Sequence, residues 1–334
     1  MKKRKMLALL FAALLGGTML GGCSKGTAEP VEREKIQETK EDVTDVGESD
    51  KVGEEEAEVP DDGRFHGKWV VDAKYAAGRV GAKDTIFVDG RGEKQAILGT
   101  VEGAVATVWQ DWSVQEGKEG DETWGCIPSP KVLSQTLGDL GITKDKEVIL
   151  LGETLDGWGD DARLLWELLA AGYTDVKMVD GGLSAIKEAG AATQLFASKP
   201  EPAEVTISEI DNSHVMSTEE LQKNYDIYKI VDVRTDEEYN GAILYNEAQG
   251  GHLPGAIHIR YTDLFQEEGT LKPNKELIQM FEEAGLRKED RIVAYCTGGI
   301  RSAYVQLVLE MCGFENSYNY DQSFWRWAVV GEVE

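Results

Sequence analysis

The chain has 334 residues, and 61 acidic against 35 basic side chains give it a formal charge of -26. Such a polyanion repels phosphate backbones, which excludes nucleic acid as a partner, and a hydrophobic share of 41% excludes wholesale disorder. Four cysteines are too few for a disulfide-built scaffold, and without CxxC, HExxH or EF-hand spacing no metal is expected.

Residues 2–5 read Lys-Lys-Arg-Lys, and an apolar run occupies 6–20. That run is shorter than the roughly 20 residues a bilayer span needs, and with its basic start it reads as an export signal. It ends in Leu20-Gly21-Gly22-Cys23, which resembles the lipobox of bacterial lipoproteins. The resemblance implies a signal peptide over 1–23, lipidation of Cys23, and an extracytoplasmic protein anchored to the bacterial cell membrane by lipid. Residues 24–63 hold 15 acidic and 5 basic side chains and no Phe, Trp or Tyr. They cannot bury enough apolar area to offset ordering, so a solvated tether is expected.

The remainder reads as one unit written twice. Thr85-Ile86-Phe87-Val88 ends in Asp89-Gly90-Arg91, and Lys229-Ile230-Val231 ends in Asp232-Val233-Arg234. Gly99-Thr100-Val101-Glu102-Gly103-Ala104-Val105 is echoed by Gly251-His252-Leu253-Pro254-Gly255-Ala256-Ile257. A helix follows in each copy, in the first with Ser129 at its cap and Pro130 at its first position. Apolar strands come next at 148–151 and 292–295. Asp89 lies 63 residues before Gly152, and Asp232 lies 64 before Cys296. Apolar helices (164–171 and 302–312) and further strands (176–179 and 317–320) complete the copies. Ser217-Thr218-Glu219-Glu220 reads as a capping box opening another helix. Short apolar strands alternating with helices predict an α/β fold, each copy a mostly parallel sheet with helices on both faces. Copies at 64–190 and 205–334, joined by a connector at 191–204, are the expected domains.

In such sheets sites form beyond the carboxyl ends of the strands. There the second copy has Tyr295-Cys296-Thr297-Gly298-Gly299-Ile300-Arg301-Ser302. Glycines let amides converge on one point, a helix start adds partial positive charge, and Arg301 adds a full one. This environment suits a low-pKa thiolate and a charged adduct on it. Cys312, amid Leu309, Met311 and Phe314, is expected in the core. Cys126 is open between a structural and a pairing role.

The second copy resembles the rhodanese (sulfurtransferase) domain through Asp232-Val233-Arg234 with Glu238-Tyr239, through the run from Gly251 to Ile259, and through Cys296-Thr297-Gly298-Gly299-Ile300-Arg301. The pair of copies resembles tandem thiosulfate and 3-mercaptopyruvate sulfurtransferases, whose first domain is usually inactive. Gly152 stands where the first copy's cysteine would be, so that copy is expected to be catalytically dead and to serve packing and site covering. The resemblance implies that Cys296 takes a sulfane sulfur from an anionic donor, thiosulfate first, and passes it as a persulfide to a thiol or cyanide. It implies no cofactor. Residues 297–301 would cradle the persulfide, with Arg301 holding the donor, Thr297 lending its hydroxyl, and Asp232 and Arg234 supporting the loop. His252 and His258 are read as structural. The loop matches neither the basic thiosulfate type nor the Cys-Gly-Ser-Gly mercaptopyruvate type. Residues 240–250 are an insertion relative to the compact form of the motif, and whether they cover the pocket is left open; Phe324-Trp325-Arg326-Trp327 either faces the same side or packs in the core. Two rival readings remain. One is a non-catalytic binding or sulfide-sensing module. The other is a Cys-based phosphatase, disfavoured because only four residues separate Cys296 from Arg301.

Overall fold

The computed structural model describes residues 60–334. The signal at 1–23 with Cys23, and the tether up to residue 59, lie outside the described residues.

Two five-stranded sheets, parallel throughout, carry the two copies. In space the first sheet runs Val70–Val71, Val176–Val179, Glu147–Leu151, Thr85–Asp89, Val105–Ala106. The second runs Val215–Met216, Ser317–Tyr320, Ile292–Tyr295, Lys229–Asp232, Ile257–His258. The order is the same in both, so the sequence repeat is a repeat of topology. The central strands Glu147–Leu151 and Ile292–Tyr295 are buried at every position, as parallel strands covered on both faces must be.

Each central strand feeds a loop and then an apolar helix, Asp160–Ala170 in the first copy and Ile300–Met311 in the second. Ten consecutive residues of the second helix, from Ile300 to Leu309, are buried. A helix apolar on all sides belongs inside, and these two pack against each other at the centre of the molecule. One hydrophobic cluster therefore spans both copies, from Trp112 and Leu165 to Phe281 and Leu307.

Equivalent hydrogen bonds cross between the copies. Asp180 accepts from the Leu271 amide at 2.7 Å, and its counterpart Asp321 accepts from the Ile127 amide at 3.1 Å. The chain also crosses over. Residues 64–69 lead into the first sheet, yet His66 and Asn274 exchange two hydrogen bonds of 2.8 Å, and Lys68 pairs with Glu310 at 2.9 Å. Conversely, 205–211 lie on the first copy: the Ile207 amide donates to Ser134 Oγ and the Asp211 amide to the Ala170 carbonyl. The connector 191–204 is strapped to the first copy as well. Thr193–Gln194 pairs antiparallel with Thr100–Val101, and Ala203 N donates to the Gly138 carbonyl. Ser217 caps Thr218–Lys223 by accepting from the Glu220 amide at 3.2 Å.

Candidate active site

Strand Ile292–Tyr295 delivers Cys296 to the sheet's carboxyl edge, and Gly299 opens the helix that follows. Gly299 sits at φ +84°, a left-handed conformation that L side chains resist. A Cβ there would also strike the Asp321 carbonyl. Gly298 is required for a different reason. Its backbone is ordinary, but a Cβ would run into the Trp325 ring. Two glycines were expected for a tight curl; one makes the curl, and the other seats an aromatic lid.

The turn brings the Gly299 amide to 3.1 Å from Cys296 Sγ. Ser302 Oγ lies 3.6 Å from the same sulfur and 2.7 Å from Asn319 Oδ1. Burial opposes ionisation of this thiol, yet the charge of Arg301, the Ser302 hydroxyl and the Ser302 and Gly298 amides outweigh it, and Cys296 titrates below its ordinary value. The other described cysteines behave oppositely. Burial pushes Cys126 and Cys312 each up to about 12. Both are free thiols, and Cys312 lies in the core as expected.

The backbone around Cys296 is held from the far side of the loop. Its amide donates to Ser323 Oγ at 3.1 Å, and its carbonyl accepts from Phe324 N at 3.0 Å. Ser323 adopts φ +50°, a strained conformation for a residue with a side chain, where the first copy has Gly182 at φ +60°. Its hydroxyl, which glycine lacks, is the group that accepts from the Cys296 amide.

Arg301 is where the geometry departs most from expectation. Its guanidinium is clamped by Glu238, Nη1 to Oε2 at 2.8 Å and Nη2 to Oε1 at 2.7 Å. The Thr297 hydroxyl completes the cluster, donating to Glu238 Oε1 at 2.6 Å and accepting from Arg301 Nη2 at 2.9 Å. Burial alone would raise the Glu238 carboxyl, but the Arg301 pair, Thr297 and the Thr235 amide bring it down to about 2. Arg301 therefore lines the cavity as a cation already paired with Glu238, and Thr297 spends its hydroxyl on the pair. Glu238 stands out in the sequence only as part of the resembling segment. Its place on the one-turn helix Asp236–Tyr239, beside the loop, was not legible.

Asp232 and Arg234 brace the loop from below. Arg234 Nη2 donates to Asp232 Oδ2 at 2.6 Å and to the Gly251 carbonyl at 2.8 Å, and the Tyr295 hydroxyl donates to Asp232 at 2.5 Å. The same brace survives in the first copy as Arg91 with Asp89 and the Gly99 carbonyl. His252 and His258 sandwich the Tyr239 ring at centroid distances of 3.9 and 4.3 Å, and neither lines the cavity over the thiol.

That cavity measures about 40 Å³. Cys296, Thr297, Gly298, Ile300 and Arg301 form its floor, and Trp158, Tyr245 and Trp325 its walls. Tyr245 comes from the insertion at 240–250, and its carbonyl accepts from Trp325 Nε1 at 2.6 Å. Trp325 faces the site while Phe324 and Trp327 enter the core, so the 324–327 segment does both jobs. Trp158 comes from the first copy and meets Tyr245 edge to face at 5.5 Å. A tryptophan between two glycines in the cysteine-free loop was its sequence signal.

The first copy's own loop is filled. A Cβ on Gly152 would collide with the Asp161 carboxyl, whose oxygens lie 2.6 and 2.8 Å from that position. Gly159, at φ +76°, precedes this helix as Gly299 precedes the other. Counting from those glycines, Asp161 is the counterpart of Arg301. Arg163, the arginine that follows the Gly152 loop, lies two positions further on. It points into the other copy, donating to the Gly299 carbonyl at 3.1 Å and pairing with Asp321 at 2.6 Å.

A rhodanese-like domain model matches this chain twice, over residues 72–189 and 217–329. The chain belongs to the rhodanese family. A Mycolicibacterium smegmatis relative named "Putative thiosulfate sulfurtransferase" is 32% identical over 275 residues, covering 79% of this chain and 95% of the relative. The 3-mercaptopyruvate sulfurtransferase of Mus musculus is 25% identical, covering 62% of this rhodanese and 71% of the mouse protein. The solved structure of the anaerobic ergothioneine biosynthesis enzyme from Chlorobium limicola shares the fold, with a TM-score of 0.67 at 20% identity over 80% of this chain and 70% of that one.

Proposed function

We propose that this tandem rhodanese is a sulfurtransferase that carries a sulfane sulfur on Cys296. The thiolate attacks the outer sulfur of an anionic sulfane donor, of which thiosulfate is the one the sequence resemblance implies, and the electron pair of the sulfur–sulfur bond that breaks leaves with the donor's remainder. The resulting persulfide passes its outer sulfur to a thiol or to cyanide, returning the thiolate. The observation that carries this reading is the contrast among thiols. Cys296 alone of the described cysteines is lowered in pKa, and it does so at the floor of a cavity with the Gly299 amide at 3.1 Å from its sulfur. A polarised amide and a helix start favour the extra negative charge of a persulfide as they favour the thiolate. The names carried by relatives of similar length support the same reaction class.

Mass spectrometry of the protein exposed to thiosulfate, mercaptopyruvate and polysulfide tests it. The expected result is one added sulfur on Cys296, discharged by cyanide and absent in Cys296→Ala. A protein that stays unloaded by every donor is instead a binding or sensing module. We propose, on the sequence of residues 1–23, that the enzyme is exported and held to the cell membrane by lipid on Cys23. Cys23→Ala should then release it from the membrane fraction, and a variant that still pellets with membranes ends that proposal.

A further inference from the structure

The walls and the charge of the Cys296 cavity bear on which donor it takes. Among the described residues lining it, Arg301 is the only cation, and Glu238 already holds both its terminal nitrogens. Thiolate, guanidinium and carboxylate therefore sum to one negative charge before a donor arrives. Loop amides and the helix start offer partial charges that suit one anionic group. A second negative charge on the donor has no counter-ion there, and within a few ångströms that repulsion is not screened by salt. The chain's charge of -26 further disfavours approach of a dianion. The cavity walls are three aromatic residues, and Trp158 is 45% exposed. An exposed tryptophan lining the same cavity as the reactive thiol, from a copy whose own loop has Gly152 in the cysteine's place, is apolar surface awaiting a partner.

Resting on the sulfurtransferase reading above, we propose that the preferred donor is an organic sulfane compound with a single negative charge and an apolar, aromatic group, that Trp158 recognises that group, and that the Glu238 clamp on Arg301 disfavours dianions such as thiosulfate. For an aryl thiosulfonate the step balances: Cys296–S⁻ and Ar–SO₂–S⁻ give Cys296–S–S⁻ and Ar–SO₂⁻. A sulfur–sulfur bond forms at Cys296, the one to the sulfonyl sulfur breaks, and the electron pair leaves on the sulfinate. The cavity of about 40 Å³ holds the few atoms around the transferred sulfur, and the aryl group lies in the mouth.

The test compares loading of Cys296 by benzenethiosulfonate, methanethiosulfonate and thiosulfate, read as kcat/KM with cyanide as acceptor. Burial of one phenyl group predicts that the benzene compound exceeds the methane compound by at least about tenfold. Thiosulfate is expected to be the poorest of the three. In Trp158→Ala the benzene-to-methane ratio should collapse towards one. Glu238→Gln, which frees the Arg301 charge, should shift the preference several-fold towards thiosulfate. Should Glu238→Gln not fold, the Trp158→Ala ratio still decides. Thiosulfate outperforming both organic donors, or an unchanged ratio in Trp158→Ala, overturns the donor assignment and leaves the sulfurtransferase reading standing. A protein that none of the three donors loads overturns both.

Discussion

At the second position of two equivalent helices, one copy has Asp161 and the other Arg301. The sign of that charge separates the copies more sharply than the cysteine does. In the first, burial pushes Asp161 up to about 7 and Asp160 up to about 6, and the carboxyl of Asp161 fills the space over Gly152. In the second, Arg301 lowers the thiol and is itself held by Glu238. The braces beneath are the same, Asp89 with Arg91 and Asp232 with Arg234. A scaffold can thus be kept intact while its reactive edge is rebuilt from an anion-stabilising pocket into a plugged acidic one.

The largest expected effect on activity is at the cysteines. Cys296→Ser should remove sulfur loading to background with an unchanged melting temperature. Gly152→Cys should not create a second loaded thiol, because Asp161 occupies its place; a persulfide on residue 152 would show that the copies differ by the cysteine alone. Next comes Arg301→Met. It leaves the buried Glu238 unpaired, so urea unfolding should show a loss of about 3–5 kcal/mol. The pH midpoint for alkylation of Cys296 should rise, and adding Glu238→Gln should restore most of the stability. Preserved stability in the single variant would mean the clamp is not structural.

Asp161→Asn probes the opposite sign. A folded value of about 7 against an ordinary 3.8 means that protonated Asp161 favours the fold at low pH, and this support is lost as pH rises from about 4 through 7. The variant escapes that loss. It should exceed the wild type at pH 8 by up to roughly 4 kcal/mol, with the gap closing towards pH 4. A pH-independent difference would contradict a buried titrating carboxyl. Gly299→Ala should cost about 1–3 kcal/mol through its left-handed backbone and slow loading. The smallest effect is kinetic: iodoacetamide should label Cys296 with a midpoint below 9.0, the ordinary thiol value, while Cys126 and Cys312 stay unreactive over the same range.

The central strands Glu147–Leu151 and Ile292–Tyr295 were legible because buried parallel strands are written as near-continuous apolar runs, and the outer ones followed from the repeat. The expected strands at 176–179, 292–295 and 317–320 coincide with Val176–Val179, Ile292–Tyr295 and Ser317–Tyr320. The loop around Cys296 was legible because glycines, cysteine and arginine are adjacent in sequence. What escaped are partners brought together only by folding. Glu238 meets Arg301 across 63 residues, Ser323 reaches Cys296 across 27, and Trp158 comes from the other copy. The pairing of Asp161 with Arg301 escaped because the two loops differ in length, and only the left-handed glycine before each helix, Gly159 and Gly299, sets their common register. The crossing at 64–69 and 205–211 escaped because nothing local marks which sheet an irregular segment will lie against.

That crossing has a consequence for how the two halves can be inherited. Each end of the repeat leaves a stretch of its own chain embedded in its neighbour, Phe65 to Trp69 one way and Ile207 to Asp211 the other. A cut between the halves would strip a strap from both, so neither could be discarded or traded as a module. The half with Gly152 in its loop is thus tied physically to the half with Cys296, and a substitution that loosens one strap weakens the packing of both.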